Sequence, residues 1–305
     1  VHYSRELAAI RGCVPMVGYL PLDGLIPNAQ LFAELTGFSA LVTYTQSAAL
    51  ELETTLRTVH INTPVLRAGH GIDLDHFHPL IDLNGDWRAQ RMALAQTYFG
   101  LDQPTFVVLN ASRPDPRKRI DLTLQAFARF AQGRADNLRL CLHQAISHNT
   151  FVEPLRAQAK ALGIADKVIW HPREAGPITD EALNRTYNAC ALGINTAHGE
   201  GFGLVSFEHA ATGVPQIVPG QEALRELWGD SAWCLSTRAV MTPHSPLLMG
   251  EVDVHDVAAA LATLHDQPLR YAELAQAAWQ RTQQADLRWS AVSESLLRIC
   301  LAQVR

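Results

Sequence analysis

The chain has 305 residues, enough for one large or two ordinary domains. Apolar residues make up 48% and charged residues 18%, which excludes a disordered or very highly charged chain. The formal net charge of -5 argues against a dedicated nucleic-acid-binding protein, because the affinity of such a protein normally rests on a basic face.

Five cysteines are scattered along the chain, and none of them forms a C-x-x-C pair. This pattern disfavours a disulfide framework and a cysteine-based zinc site, and it favours a reducing compartment. The longest apolar stretches have the length of strands, well short of the ~20 residues that span a bilayer. We therefore expect a cytoplasmic protein.

Before Thr105, a few short predicted strands accompany one predicted helix. The strands are Pro15–Leu20, Ala40–Thr45 and Val65–Ala68, and the helix is Ser47–Arg57. The polar stretch from Pro79 to Asp86 indicates a boundary between two lobes. The first lobe has roughly half the usual size of a domain, too small for a complete Rossmann-like unit.

From Thr105 onward, short β-branched runs alternate regularly with segments of helical period. The predicted strands are Thr105–Asn110, Leu138–His143, Lys167–His171, Leu192–Thr196, Gln216–Val218 and, as the last one, Ala232–Leu235. The predicted helices are Ile120–Ala131, Val152–Leu162, Asp180–Cys190 with Thr179 as N-cap, Gly203–Thr212, Ala223–Trp228 and a tail from Val254 to Val304 broken near Pro268 and Asp286–Trp289. This alternation predicts an α/β protein with a parallel sheet covered on both faces.

Three familiar fingerprints are absent from the sequence. No G-x-G-x-x-G follows a predicted strand, and there is neither a Walker A loop nor a G-x-S-x-G elbow. The dehydrogenase, P-loop ATPase and α/β-hydrolase classes therefore lose their main support.

The strongest local pattern runs from His198 to Glu208, at the junction of a predicted strand and a predicted helix. Gly201 and Gly203 let backbone N–H groups approach a ligand closely, and a helix N-terminus favours an anion such as phosphate. The Glu208 carboxylate can accept two hydroxyl hydrogen bonds, as a ribose diol would offer. The alternative interpretation is a tight strand–helix turn with two solvated glutamates.

A second pattern places four cationic side chains between a predicted strand end and its helix, where ligands bind in parallel sheets. Arg113 and Lys118 are separated by four residues, so a proline-braced loop could direct both at one anionic group. The alternative is a solvated basic turn, partly balanced by two aspartates. We prefer that alternative for Arg117 and Arg119.

Together these residues resemble glycosyltransferase family 4, the retaining nucleotide-sugar enzymes of GT-B fold. The Arg-x4-Lys loop and the Glu-x7-Glu motif carry the resemblance, which extends from Val65 to the C-terminus. Four further segments look like the family: Gly71-Ile72-Asp73-x-x-x-Phe77-x-Pro79, Gly213-Val214-Pro215, Gly250-Glu251-Val252-Asp253 and the closing Trp289 helix. The implied fold class is α/β, with two Rossmann-like lobes of parallel sheets.

The resemblance implies four segments along the chain. They are a partial acceptor-binding lobe over residues 1–78, an interdomain segment over 79–104, a nucleotide-sugar-binding lobe over 105–285 and a C-terminal helix over 286–305 that packs back towards the first lobe. Val1 falls in the middle of the usual acceptor domain. We therefore expect about the first half of that domain to precede it.

Site roles follow from the resemblance, residue by residue. Arg113 and Lys118 would neutralise the donor diphosphate as charge develops on this leaving group, and Glu200 would lie beside the donor sugar. The implied donor-binding residues are Gly201, Phe202, Gly203, Leu204 and Glu208. The family usually needs no metal, and we expect no cofactor. His198 and His209 raise a zinc hypothesis, but the histidines show no ligand spacing tied to Cys or Asp.

Asp23 is the candidate on the acceptor side. Many family members carry a histidine just after a strand written like Pro15–Leu20, and Pro21-Leu22-Asp23-Gly24 occupies that place here. An Asp-Gly turn is the alternative interpretation. The family's glycine-containing acceptor loop has no counterpart in this sequence.

The sequence thus predicts a retaining, metal-independent glycosyltransferase of hexosyltransferase type that uses a nucleoside-diphosphate sugar. Another GT-B enzyme, such as an epimerase or a phosphorylase, and a non-catalytic nucleotide-sugar-binding protein are the alternatives. The motifs do not read the base, the sugar or the acceptor, which could be a carbohydrate, a lipid-linked group or a protein. We expect no nucleic-acid partner, and a peripheral membrane contact stays open.

Overall fold

A computed structural model describes residues 13–143, 151–171, 178–243 and 245–304 of the chain. Within these ranges the chain forms two lobes, each built on a parallel sheet. The first lobe holds three strands, in the order β1-β2-β3. Its elements are β1 (Val17–Tyr19), β2 (Ala40–Thr43), α1 (Gln46–Thr58) and β3 (Val65–Arg67).

The first lobe folds around the central strand β2, whose four residues are all buried. Helix α1 follows directly, and Thr45 caps its N-terminus by accepting a hydrogen bond from the backbone N–H of Ala48. Leu52 and Leu56 lie one turn apart on α1 and pack in one cluster with Leu41 of β2. A small apolar core therefore supports this sheet.

The second lobe holds a six-stranded parallel sheet in the order β6-β5-β4-β7-β8-β9. Its strands are β4 (Phe106–Asn110), β5 (Leu138–His143), β6 (Val168–His171), β7 (Leu192–Ile194), β8 (Gln216–Pro219) and β9 (Trp233–Leu235). The chain moves outward from β4 to β6 and then returns to β7 on the other side of β4. Because the strand order reverses there, the carboxyl ends of β4 and β7 border a crevice where ligands bind in such sheets.

Helices cover both faces of the second sheet and form two apolar cores with it. They are α2 (Trp87–Phe99), α3 (Ile120–Ala131), α4 (Val152–Ala161), α5 (Asp180–Asn188), α6 (Leu204–Ala211), α7 (Glu222–Trp228), α8 (Val254–Asp266) and α9 (Pro268–Thr282). The last helix, α10 (Trp289–Ala302), contributes no residue to these cores, and its Val292 lies beside Arg67 of the first lobe. All five residues of β4 are buried, as expected for a central strand packed on both faces. The predicted strand–helix alternation is confirmed, with element ends shifted by at most two residues.

Two features differ from the sequence expectation. Ala232–Leu235 does not hold the last strand, because an antiparallel hairpin of β10 (Thr237–Thr242) and β11 (Ser245–Val252) follows it. Pro246 within β11 weakens the strand pattern, and the burial along both strands is irregular. Helix α2 was not predicted from the sequence. It lies inside the expected interdomain segment and buries only three of its residues, so its apolar pattern is weak.

The two lobes are in direct contact. Leu25 and Leu248 exchange backbone hydrogen bonds of 3.0 and 2.9 Å, which joins the hairpin to the first lobe. The Glu226 carboxylate of α7 accepts hydrogen bonds of 2.7 and 2.8 Å from the N–H groups of Gln46 and Ser47. These bonds, with the Arg67 charge, hold the pKa of Glu226 below its usual range, against the effect of burial. A carboxylate from one lobe thus binds a helix N-terminus of the other.

Arg91 of α2 is fully buried and ties three helices together. Its guanidinium donates to the backbone carbonyl of Asn188, at 3.1 Å, and to that of Thr212. Both carbonyls lie at helix C-termini, where a cation is favourable. Burial lowers the pKa of Arg91 to about 10, so the guanidinium still carries its charge at neutral pH. The ends of α5 and α6 are thereby fixed against α2.

We expect Arg91→Met to lower the free energy of unfolding by about 3 kcal/mol, because two buried carbonyls lose their charged donor. Urea unfolding measures the loss. Arg185→Met is the matched control, since Arg185 is half exposed and pairs with Glu181 one turn away on α5. We expect the control to cost less than about 1 kcal/mol. Equal losses in the two variants would rule out this role for Arg91.

Candidate active site

The candidate site lies where the loops after β4 and β7 meet, at the reversal of the strand order. Asn110 ends β4, and its side chain donates to Thr123 and accepts from the backbone N–H of Ser112. The Thr123 hydroxyl also lies 2.8 Å from that of Thr196, just beyond β7. Buried polar contacts therefore join the two loops below the crevice.

Lys118 and Glu200 form an ion pair in this crevice. Nζ of Lys118 lies 2.5 Å from Oε1 of Glu200, although 82 residues separate them in the sequence. Their side chains are only 12% and 11% exposed. The Asn195 side-chain amide donates a second hydrogen bond to the same carboxylate oxygen, at 3.2 Å. Because water is largely displaced, both charges act more strongly here than they would on an open surface.

Arg117 and Arg119 are mostly shielded from solvent, so the solvated basic turn that we preferred for them from the sequence is wrong. Its other part holds for Arg119, because Asp121 does balance part of that charge. Their side chains are 23% and 20% exposed. The Arg117 guanidinium donates to the Gly199 carbonyl, and the Arg119 guanidinium pairs with Asp121 and Glu251. Most of these partners come from distant parts of the chain, and so the local sequence gives no sign of them.

Arg113 behaves differently from the other cations of its loop. Its side chain is exposed, and no ion pair or side-chain hydrogen bond involves it within the described ranges. The structure therefore joins Lys118 to Glu200 and leaves Arg113 at the surface of the same loop.

The Gly-Phe-Gly segment forms a close turn into α6. Gly203 has φ +79°, a left-handed conformation that favours glycine, and it is the N-cap of the helix. Gly201 donates its N–H to Oδ1 of Asp23 over 2.8 Å. Phe202 is buried beside Phe207, and Leu204 is half-buried at the first position of the helix.

Asp23 is brought to the same crevice from the first lobe. Besides its bond to Gly201, its Oδ2 lies 3.2 Å from the Arg117 guanidinium. A cavity of about 200 Å³ between the lobes lies beside it. Its lining includes Leu22, Asp23, Ser47, Glu200, Gln221 and Met249. The acceptor-side candidate and Glu200 thus share one cavity.

Glu208 lies on α6 and accepts a hydrogen bond of 3.1 Å from the Tyr187 hydroxyl of α5. Burial raises the pKa of Glu208 to about 7, although the tyrosine hydrogen bond acts in the opposite direction. The interpretation of Glu208 as a solvated glutamate is therefore wrong.

Two polar residues of the site were not singled out by the sequence. Gln221, just after β8, donates to the His198 carbonyl at 2.6 Å and accepts from the Glu200 N–H at 3.1 Å. The sequence could have indicated Gln221 by its position just beyond a predicted parallel strand, where ligands bind. Glu251 belongs to a segment that resembles the family, but the sequence suggested no role for it. In the structure it contacts both Arg119 and His198.

The two histidines of the zinc hypothesis lie in different surroundings. His198 lies beside Glu251, whereas His209 is buried against the Tyr187 carbonyl and its pKa is lowered by burial to about 3. The described ranges contain no group of three or more His, Cys, Asp or Glu side chains placed to hold a metal ion.

Among the helices described, none combines the length and apolar character that crossing a membrane requires.

Comparisons with known proteins identify relatives of the chain. A family model described as "Glycosyl transferases group 1" matches residues 98–278. The D-inositol 3-phosphate glycosyltransferase of Segniliparus rotundus is 30% identical over 219 residues, which are 71% of this chain and 44% of that protein. The protein of that name from Acidothermus cellulolyticus is 34% identical over 191 residues, 61% of this chain and 39% of its own length. The chain thus spans less than half of these two curated relatives.

Solved structures resemble the chain over most of its length. Sucrose-phosphate synthase from Thermosynechococcus elongatus has a TM-score of 0.66 at 21% identity, covering 88% of this chain and 60% of its own. Anabaena HepE, solved with UDP and glucose, has a TM-score of 0.70 at 17% identity, covering 94% of this chain and 72% of its own. At these identities the likeness concerns the fold.

We expect Gly203→Ala to destabilise the protein more than Gly100→Ala does. Both glycines have positive φ, +79° and +65°, where an alanine costs about 1 kcal/mol. A Cβ on Gly203 would also lie 3.2 Å from Cδ2 of Leu224, whereas one on Gly100 would meet nothing within 4 Å. Urea unfolding measures both variants. A smaller loss for Gly203→Ala would contradict this account of the turn.

Proposed function

The chain belongs to the group 1 glycosyl transferases and has their GT-B fold, and on this basis we propose that it transfers a sugar from a nucleoside-diphosphate sugar to an acceptor. The proposal includes retention of configuration and independence from metal ions, which the resemblance to family 4 supports. The observation that carries it is the Lys118–Glu200 pair in the crevice between β4 and β7.

Lys118 is the proposed electrostatic catalyst. When the sugar–phosphate bond breaks, negative charge develops on the departing diphosphate, and a shielded cation stabilises that charge. In this structure Glu200 is the counter-ion of Lys118. With donor bound, we propose that Lys118 pairs with the diphosphate and that Glu200 accepts a hydrogen bond from a sugar hydroxyl. The cation then does the work that a metal ion does in other transferases.

The loop and the helix N-terminus supply the rest of the proposed phosphate site. Gly201 and Gly203 bring backbone N–H groups to the start of α6, which favours an anion. Arg113 is exposed and without an ion pair in the described parts of the chain, which supports a role in closing over the diphosphate. Glu208 is the proposed ribose ligand, four residues along the helix from Leu204.

The cavity beside Asp23 is the proposed entrance for the acceptor, because it reaches Glu200 from the first lobe. Anabaena HepE has also been solved in complex with UDP-glucose, which supports this nucleotide sugar as the first donor to assay. The names of the relatives support an inositol phosphate as the first acceptor. Carbohydrate, lipid-linked and protein acceptors belong in the same screen.

The cysteine pattern supports a cytoplasmic location for this activity.

The first test is transfer from UDP-glucose by the whole protein in excess EDTA, with Lys118→Ala as the variant. We expect kcat to fall by about 100-fold, because the lost charge acts mainly in the transition state. Lys160→Ala is the matched control, since Lys160 is exposed on α4 and belongs to neither motif. Full activity of Lys118→Ala would overturn the assignment. Donor hydrolysis or epimerisation without transfer would favour another GT-B enzyme.

The second test follows the binding of UDP-glucose between pH 6 and pH 8. The pKa of Glu208 is raised to about 7, so the carboxylate is protonated below that pH and accepts two hydroxyl hydrogen bonds only above it. We expect affinity to rise with pH in the wild type. Glu208→Gln should bind more weakly, by about 1.5–3 kcal/mol for each lost charge-assisted bond, and without this rise.

UDP-glucose suits this measurement because it lacks a terminal phosphate that ionises near pH 6. Calorimetric titration at three pH values gives the affinities. An identical pH dependence in wild type and Glu208→Gln would exclude Glu208 as the ribose ligand.

A further inference from the structure

We propose that Glu251, on the hairpin that follows the second sheet, is a positioning residue that holds the two loops carrying Lys118 and Glu200 in register. This inference rests on the proposed function. Glu251 lies at the end of β11, outside both the Arg-x4-Lys loop and the Glu-x7-Glu motif.

The Glu251 carboxylate contacts both loops at once. Its Oε2 accepts a hydrogen bond from the Arg119 guanidinium and lies 3.0 Å from Nε2 of His198. Arg119 directly follows Lys118, and His198 lies two residues before Glu200. One carboxylate oxygen therefore ties together the neighbours of both members of the Lys118–Glu200 pair.

Backbone hydrogen bonds bring the same three segments together. The N–H of Gly250 donates to the His198 carbonyl at 2.8 Å, and the N–H of His198 donates to the Arg117 carbonyl at 2.8 Å. The Thr196 hydroxyl donates to the Arg119 carbonyl, also at 2.8 Å. Hairpin, motif loop and cationic loop thus lie side by side, with the Glu251 side chain where their charges converge.

The surroundings of Glu251 keep this contact strong. The side chains of His198, Arg119 and Glu251 are 10%, 20% and 23% exposed, so water screens their attraction only in part. Hydrogen bonds from His198 and Arg119 hold the pKa of Glu251 at about 2. On the exposed side of the hairpin, Arg238 donates a hydrogen bond of 2.8 Å to the other carboxylate oxygen of Glu251. Glu251 is therefore ionised at every pH where the enzyme would work.

The hairpin is in turn anchored to the first lobe. Leu248 lies three residues before Glu251 on β11 and exchanges both of its backbone hydrogen bonds with Leu25. The carboxylate that positions the donor loops is thus part of a strand that also binds the acceptor side. This placement explains why a hairpin outside the motifs would affect the transfer step.

The test compares Glu251→Gln with Glu294→Gln in the whole protein. Glu294 forms an exposed pair with Arg298 one turn away on α10, so its variant controls for loss of a carboxylate away from the site. With UDP-glucose as donor, we expect Glu251→Gln to lower kcat by about 10- to 100-fold, because small displacements of reacting groups have effects of this size. The donor KM should change by less than about threefold. Glu294→Gln should match the wild type.

Amide hydrogen exchange gives a readout that does not depend on activity. Glu251→Gln should speed exchange at His198 and Gly250, whose hydrogen bonds join the three segments, and leave β5 at its wild-type rate. Faster exchange throughout the second sheet would indicate a merely structural role and overturn the proposal. Wild-type kcat together with wild-type exchange would overturn it as well.

A second variant covers the case in which Glu251→Gln does not fold. Glu251→Asp keeps the charge but shortens the side chain by one methylene, so it should lose the double contact with Arg119 and His198 and lower kcat in the same direction. Wild-type kcat in this variant would contradict the positioning role. If the wild type transfers no sugar from UDP-, GDP- or ADP-glucose, the proposed function fails, and the exchange experiment still decides the role of Glu251.

Discussion

The order of the strands in the six-stranded sheet places the carboxyl ends of β4 and β7 side by side. The loops that leave these two strands are brought together in the crevice. Lys118 on one loop and Glu200 on the other therefore face across a few ångströms, although they are distant in the sequence. The rest of the site is arranged around this contact.

Support for the contact comes from three directions. Below it, buried hydroxyl and amide groups join the ends of the two strands. Beside it, the hairpin of β10 and β11 adds the Glu251 carboxylate. Behind α6, the buried Arg91 binds the C-terminal end of α5, next to Tyr187, and the C-terminal end of α6, the helix that carries Glu208. Few of these supports belong to the recognisable motifs.

The sequence was most informative where physical chemistry acts over short distances. The alternation of β-branched and helical segments predicted nearly every strand, since the central strands are buried and therefore apolar along their length. The Gly203 turn was visible because a left-handed position at a helix start favours glycine. The partners of Arg117 and Arg119 were not visible, since most of them lie 79 to 132 residues away. The pKa of Glu208 depends on burial by other helices, which no local pattern encodes.

The hydrogen bond between Asp23 and Gly201 has a consequence for how the lobes and a ligand communicate. One backbone N–H donates to one acceptor at a time, and here Asp23 of the first lobe is that acceptor. An anion that binds the N–H of Gly201 must displace the aspartate and also meets its negative charge. The Asp23 contact between the lobes and an anion bound at the glycine turn therefore compete for one hydrogen-bond donor. Each weakens the other by the same free energy.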